Sequence, residues 1–124
     1  MRVELRDIRK VFGAVKANDG ISLTLESGKI YALVGENGAG KSTLMKILSG
    51  YQPPTSGEIL LDDQPVRFQS PADALAQGVG MLYQDPLDMP PFRVIDNYLL
   101  GRDSRLVLDY KTARDELAQL AARY

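Results

Sequence analysis

Cysteine and histidine are both absent from this 124-residue chain, and each absence closes off chemistry. Without cysteine there are no disulfides and no thiolate metal sites, and the sequence carries no trace of its redox compartment. Without histidine the commonest general base and metal ligand is gone. Charge of one sign is also scarce: 15 basic against 16 acidic residues leave a net charge of −1, with no block of like charge. A nucleic-acid-binding surface ordinarily shows as a basic patch, so no nucleic-acid partner is expected. No apolar run approaches the ~18 residues needed to cross a bilayer. The N-terminus, Met1-Arg2-Val3-Glu4-Leu5-Arg6-Asp7, is charged from its start and has no leader-like apolar region. The chain is therefore expected to be soluble and cytoplasmic, with any membrane role exercised through a partner.

What remains is an ordinary globular composition, 44% hydrophobic and 25% charged, enough for one modest domain. Within it, Gly35-Glu36-Asn37-Gly38-Ala39-Gly40-Lys41-Ser42-Thr43 is a complete phosphate-binding loop. The pattern needs glycine, four free residues, then Gly-Lys-Ser/Thr, and Gly35, Gly40, Lys41 and Ser42 supply it. Glycines let successive backbone N–H groups turn inward as a nest for phosphate oxygens. A helix starting at the loop adds its positive dipole end. Lys41 then reaches the β- and γ-phosphates, and the Ser42 hydroxyl is placed to ligate Mg²⁺. Asn37, Gly38, Ala39, Gly40 and Thr43 complete the cradle through backbone or hydroxyl contacts. The flanks agree. Lys29-Ile30-Tyr31-Ala32-Leu33-Val34 reads as a buried strand, and Thr43–Ser49 as a helix with Leu44, Ile47 and Leu48 on one face and Gly50 as its stop.

Elsewhere, Val3–Ile8 and Ile21–Leu25 alternate apolar and polar residues as half-buried strands do, predicting an antiparallel sheet that leads into the nucleotide core. Pro53-Pro54-Thr55-Ser56-Gly57 is a loop. Glu58–Leu61 is a short strand, turned by Asp62-Asp63 towards Val66-Arg67-Phe68. Ser70 as N-cap, Pro71 at the first position and Asp73 in the first turn open a helix that Gly78 ends. Val79–Tyr83 reads as a further apolar strand. Val94–Leu100 and Asp109–Tyr124 read as helices, the latter with an apolar stripe of Ala113, Leu117, Leu120, Ala121 and Tyr124.

Taken together, these residues resemble the first part of an ABC-transporter nucleotide-binding domain, over essentially the whole chain. The phosphate loop alone is shared by many proteins. Its continuation, Leu44-Met45-Lys46-Ile47-Leu48-Ser49-Gly50 and then Pro53-Pro54-Thr55-Ser56-Gly57-Glu58-Ile59, is shared by few. The resemblance implies an α/β fold: a P-loop NTPase core of the ABC ATPase type with an N-terminal antiparallel β-subdomain, ending before the signature motif and the Walker B strand. It places the β-subdomain and core in about residues 1–100 and the start of a helical subdomain in about 101–124. Phe12, 23 residues before Gly35, matches the aromatic that stacks on adenine. Gln84 matches the Q-loop glutamine, whose neutral oxygen contacts Mg²⁺ or the attacking water. Asp85–Phe92 falls where the family meets its membrane-spanning permease subunit. The stretch Pro90–Gly101, with Asn97-Tyr98-Leu99-Leu100-Gly101, is most similar to ATPases of simple-sugar and nucleoside importers.

The same resemblance identifies what is missing. No Leu-Ser-Gly-Gly-Gln-like signature occurs, and no apolar strand ending in Asp-Glu follows Gln84. The implied function is ATP binding and hydrolysis, with Mg²⁺, at the cytoplasmic face of the membrane, acting with a second ATP-binding domain and a permease. The 124-residue chain alone is expected not to hydrolyse ATP. In the related fold the Walker B strand lies between the phosphate-loop strand and the Q-loop strand, so exposed sheet edges and self-association through them are expected here. Two other readings are open at this level: a soluble ABC-type ATPase of DNA repair or translation, and a non-catalytic nucleotide-binding module.

Overall fold

A two-residue turn at Gly13 and Ala14 joins two long strands, β1 (Val3–Phe12) and β2 (Val15–Leu25), into the hairpin on which the rest of the first half is built. The computed structural model describes residues 1–83, 89–100 and 109–123. They form two compact units, Met1–Leu82 and Tyr83–Tyr124. In the first, β3 (Ser56–Leu61) and β4 (Gln64–Val66) extend the hairpin to a four-stranded antiparallel sheet of order β2-β1-β3-β4. Helix α1 (Lys41–Leu48) follows the glycine loop and α2 (Pro71–Ala76) follows the sheet. The second unit holds α3 (Val94–Leu100) and α4 (Tyr110–Ala121).

The core of the first unit lies between α1 and the sheet. Leu44 and Ile47 of α1 meet Leu5 and Ile8 of β1 and Ile59 of β3, with Ile21, Leu23, Leu48, Val66 and Phe68 packed around them. This is the helix face that the sequence pattern selects, and it anchors the loop at the N-terminus of α1 to the sheet. The turn at Asp62 and Asp63 is also as expected. Both residues have positive φ, 46° and 65°, the geometry a two-residue hairpin needs to match the strand twist.

β1 and β2 run well beyond the alternating stretches because bulges interrupt their period of two. Leu5 pairs with Leu23 but Ile8 with Ile21, so β1 carries an extra residue, and Asp7 there has φ 47°. Between Ile8–Ile21 and Lys10–Asn18 the extra residue is on β2, where Gly20 has φ 76°. Between Lys10–Asn18 and Val11–Lys16 it is Ala17. Each bulge turns the following side chains to the other face.

Two expected strands are not paired. Residues 29–34 and 79–83 form no ladder among the described residues. Ile30, Val34 and Leu82 are 101%, 88% and 97% exposed, although their sequence reads as core. A strand is held by a neighbour's N–H and C=O groups, and among the described residues no strand pairs with either segment. The apolar stripe of α4 is likewise only partly used. Ala113 is fully buried and Leu117 half-buried, but Leu120 and Ala121 are exposed, and Tyr124 lies outside the described residues. The packing of α4 against α3 includes a hydrogen bond from the Tyr98 hydroxyl to Glu116 at 2.8 Å.

Side chains close the N-termini of α2 and α4. Ser70 Oγ accepts from the Asp73 N–H at 3.2 Å, and the Asp73 carboxylate accepts from the Gln69 N–H and the Gln77 amide, both at 2.9 Å. Asp109 accepts from the Thr112 N–H at 3.0 Å and its hydroxyl at 2.6 Å. These bonds favour the charged carboxylates. The Gln69 N–H, then the Gln77 side chain, hold Asp73 below its ordinary value, and the Thr112 hydroxyl, then its N–H, do so for Asp109. A folded-state value lowered in this way gives a contribution that is complete above the unfolded carboxylate value of ~3.9 and is lost as pH falls through the folded one. Side-chain carboxyl NMR titration should therefore give Asp73 and Asp109 midpoints below those of their acid-unfolded counterparts, with the Thr112 and Gln69 amide shifts moving in step. Midpoints at the unfolded value would show that the caps are not formed in solution.

Candidate functional site

The loop before α1 turns on two left-handed glycines. The Ala39 N–H donates to Glu36 O at 3.2 Å, and Gly38 and Gly40 both have φ 84°. Gly40 is the N-cap of α1, and its carbonyl accepts the first helical bond, from the Leu44 N–H at 2.9 Å. The first amides of a helix have no partner within it. In α2 and α4, side chains of Ser70 and Asp109 supply one, whereas no side chain caps α1. The open amide end and the helix dipole together favour an anion there.

The predicted phosphate-contact residues are brought together by this short-range geometry. Gly35, Asn37, Gly38 and Ala39 are exposed, Gly40, Lys41 and Thr43 half-buried, and Ser42 exposed at the second position of α1. Lys41 Nζ donates to Gly35 O and Glu36 O, both at 2.7 Å, so its ammonium lies over the first half of the loop. The three glycines differ in what they demand. Gly35 has ordinary φ, and a Cβ there would make ordinary contacts with Ala39 and Lys41. Gly38 needs glycine for its φ alone. Gly40 needs it for φ and for space, since a Cβ would fall 2.0 Å from Ala17 O.

Phe12 ends β1 and faces Val15 across the hairpin. It is 49% exposed, and Lys10 Nζ sits 5.2 Å from its ring centroid while donating to Pro53 O at 2.7 Å. One face of the ring is thereby under a cation, within the usual range for cation–π attraction. The β2 arm of the same hairpin touches the loop: Ala17 approaches Gly40, and Asn18 Nδ2 donates to Gly40 O at 3.2 Å. Sequence reasoning missed Lys10, Ala17 and Asn18. Lys10 was within reach, because residues two apart on a strand share a face. The other two contacts span more than twenty residues and follow from a bulge, for which the sequence gives no local signal.

Gln84, the second expected Mg²⁺ contact, lies outside the described residues, as does 85–88 of the expected permease surface. Of that surface, Met89 and Phe92 are described and exposed. Among the described residues no three acidic, histidine or cysteine side chains gather as a metal site. No helix of the described residues is long and apolar enough to cross a membrane.

Comparison with known proteins agrees with this arrangement. Residues 18–124 match the family model described as ABC transporter. The chain is 51% identical over 100 residues to the ribose import ATP-binding protein RbsA of Rhodopirellula baltica, covering 81% of this chain and 20% of that one. It is 42% identical over 120 residues to the xylose/arabinose import ATP-binding protein XylG of Sulfolobus acidocaldarius, covering 95% and 48%. It is 41% identical over 124 residues to the nucleoside import ATP-binding protein NupA of Lactococcus lactis, covering 98% and 24%. The chain thus spans between a fifth and a half of the length of these relatives. Among solved structures, a nucleotide-free ATP-binding cassette from an ABC transporter superposes with a TM-score of 0.74 at 29% identity, covering 86% of this chain and 44% of that one. A cassette in its ADP conformation gives 0.73 at 29%, covering 82% and 40%. The glycine loop, the helix it opens and the sheet behind them are those of an ATP-binding cassette, and this chain belongs to the ABC transporter family.

Proposed function

We propose that the chain carries the nucleotide cradle of an ATP-binding subunit that powers import of a simple sugar or nucleoside. The observation that supports this most is the uncapped, glycine-led N-terminus of α1 with Lys41 over its loop. In this reading the backbone amides of residues 38–43 hold phosphate oxygens, Lys41 sets its charge against the β- and γ-phosphates, and Phe12 offers its free face to adenine. The exposed Ser42 hydroxyl is a hard oxygen donor, and no carboxylate cluster competes with it among the described residues. That suits Mg²⁺, which keeps several waters and takes phosphate oxygens plus one or two protein ligands. Ser42 would hold the ion, which when bound would neutralise part of the phosphate charge. Gln84 is assigned the second contact, to the metal and the attacking water.

Two partners and a location follow from this reading: a permease reached through Asp85–Phe92, a second ATP-binding domain, and the cytoplasmic face of the membrane, where the chain would act as a peripheral subunit. Residues up to about 100 are assigned to the β-subdomain and core, and 101–124 to the start of a helical subdomain. The exposed apolar residues of 29–34 and Leu82 support association of the chain with strands from outside it, including those of a second copy. The chain alone is assigned nucleotide binding without hydrolysis, since it has no Walker B carboxylates.

Calorimetry with MgATP tests the reading, with magnesium triphosphate as a ligand lacking the base. Phe12→Ala should weaken MgATP by about 1–3 kcal/mol, the worth of one base stacked on an aromatic, and leave magnesium triphosphate unchanged. Equal loss for both ligands would make Phe12 a packing residue. Absence of MgATP binding by the unaltered chain would remove the cradle from this chain.

A further inference from the structure

Among the described residues, Asn18 is a buried polar side chain that joins the sheet to the phosphate loop. It is 5% exposed and is presented by β2 immediately after the extra residue of a bulge, Ala17. Its Nδ2 donates to Gly40 O at 3.2 Å, while its Oδ1 is buried with no hydrogen-bond partner. The two halves of this amide pull stability in opposite directions. A buried acceptor without a donor is unfavourable, and an apolar side chain of the same shape would leave nothing unsatisfied. Packing alone is therefore better served by leucine.

The hydrogen bond does something that packing does not. The Gly40 carbonyl also takes the first helical bond of α1, from Leu44, so the Asn18 amide fixes the plane of the peptide joining Gly40 to Lys41. That peptide carries the Lys41 N–H, the first donor of the open helix end. We propose that Asn18 is a positioning residue for nucleotide binding: it locks the Gly40–Lys41 peptide from behind so that the amides of the loop point at phosphate. The inference rests on the nucleotide-binding reading above and adds to it a residue that never touches the ligand.

The distinguishing test is a change of opposite sign in two measurements. Asn18→Leu should leave the melting temperature of the chain unchanged or higher, yet weaken MgATP in calorimetry by about tenfold, the worth of one hydrogen bond. Asn18→Asp keeps the shape, replaces the donor by a carboxylate oxygen facing Gly40 O, and should weaken MgATP further. A fall of melting temperature and affinity together in Asn18→Leu, or an unchanged affinity, would overturn the proposal. Carbonyl ¹³C NMR separates its failure from that of the nucleotide reading, because it needs no ligand. In Asn18→Leu the Gly40 carbonyl should shift as its hydrogen bond is lost, with the Lys41 and Ser42 amides exchanging faster and those of Leu5 and Ile8 unchanged. An unmoved Gly40 carbonyl overturns the positioning role even if MgATP binds. If the unaltered chain does not bind MgATP, the nucleotide reading fails, and the proposed role in ligand binding fails with it.

Discussion

Lys41→Ala is expected to abolish measurable MgATP binding while leaving the fold intact. The two halves of that expectation have separate physical grounds. Among the described residues, the Lys41 ammonium bonds to the carbonyls of Gly35 and Glu36, which belong to exposed residues and can be taken over by water. Surface substitutions of this kind change stability by roughly ±0.5 kcal/mol. Against a bound triphosphate the same ammonium would make charge-assisted bonds of about 1.5–3 kcal/mol each. Loss of two such bonds lowers affinity by about 10²–10⁴-fold, enough to pass beyond calorimetric detection. Lys41→Arg keeps the charge but presents a planar fork in place of a compact ammonium, so it should fall between the two. A Lys41→Ala chain that binds MgATP as the unaltered chain does would show that the triphosphate does not lie in this loop. Lost binding with a large drop in melting temperature would mean the lysine holds the loop together.

How far the sequence foretells this structure depends on how far apart the interacting residues lie. The glycine loop, the Leu44 and Ile47 face of α1, the Asp62–Asp63 turn and the Ser70-Pro71 cap were all legible, because each is decided within about four residues by φ, capping or helical period. The bulges at Asp7, Gly20 and Ala17 were not, since a bulge is a mismatch between two strands and neither strand alone records it. Residues 29–34 show the opposite failure. Their apolar, β-prone composition is a strand signal, but a strand also needs a ladder partner. None is present among the described residues, so Ile30 and Val34 stand in solvent. At the candidate site, the glycine loop proposed to face the nucleotide is a motif with a fixed spacing in the sequence, whereas the contacts of Asn18 and Ala17 with Gly40 have no such local pattern.

The second large effect is expected from Gly40→Ala, and the glycines beside it make the control. Alanine at φ 84° costs about 1–2 kcal/mol from backbone sterics alone. Gly38→Ala meets only that term, because the space around a Cβ at Gly38 is open. For a unit of this size it should lower the melting temperature by several degrees, at about 4–8 °C per kcal/mol. Gly35→Ala meets neither term, as its φ is ordinary and its nearest contacts would be 3.6 Å and 3.9 Å away, so the fold should hardly register it. Gly40→Ala meets both. Its Cβ would lie 2.0 Å from Ala17 O and 2.9 Å from Asn18 Nδ2, and a backbone carbonyl cannot step aside as a flexible side chain can. Either β2 moves off the loop or the loop leaves the helix end, and each breaks the alignment of amides that would receive phosphate. Thermal melts and MgATP calorimetry on the three variants should therefore rank Gly35, Gly38 and Gly40 in increasing order of damage, with MgATP binding lost at Gly40. A Gly40→Ala chain no worse than Gly38→Ala would mean that φ is the whole constraint and that the close approach of Ala17 is not maintained in solution.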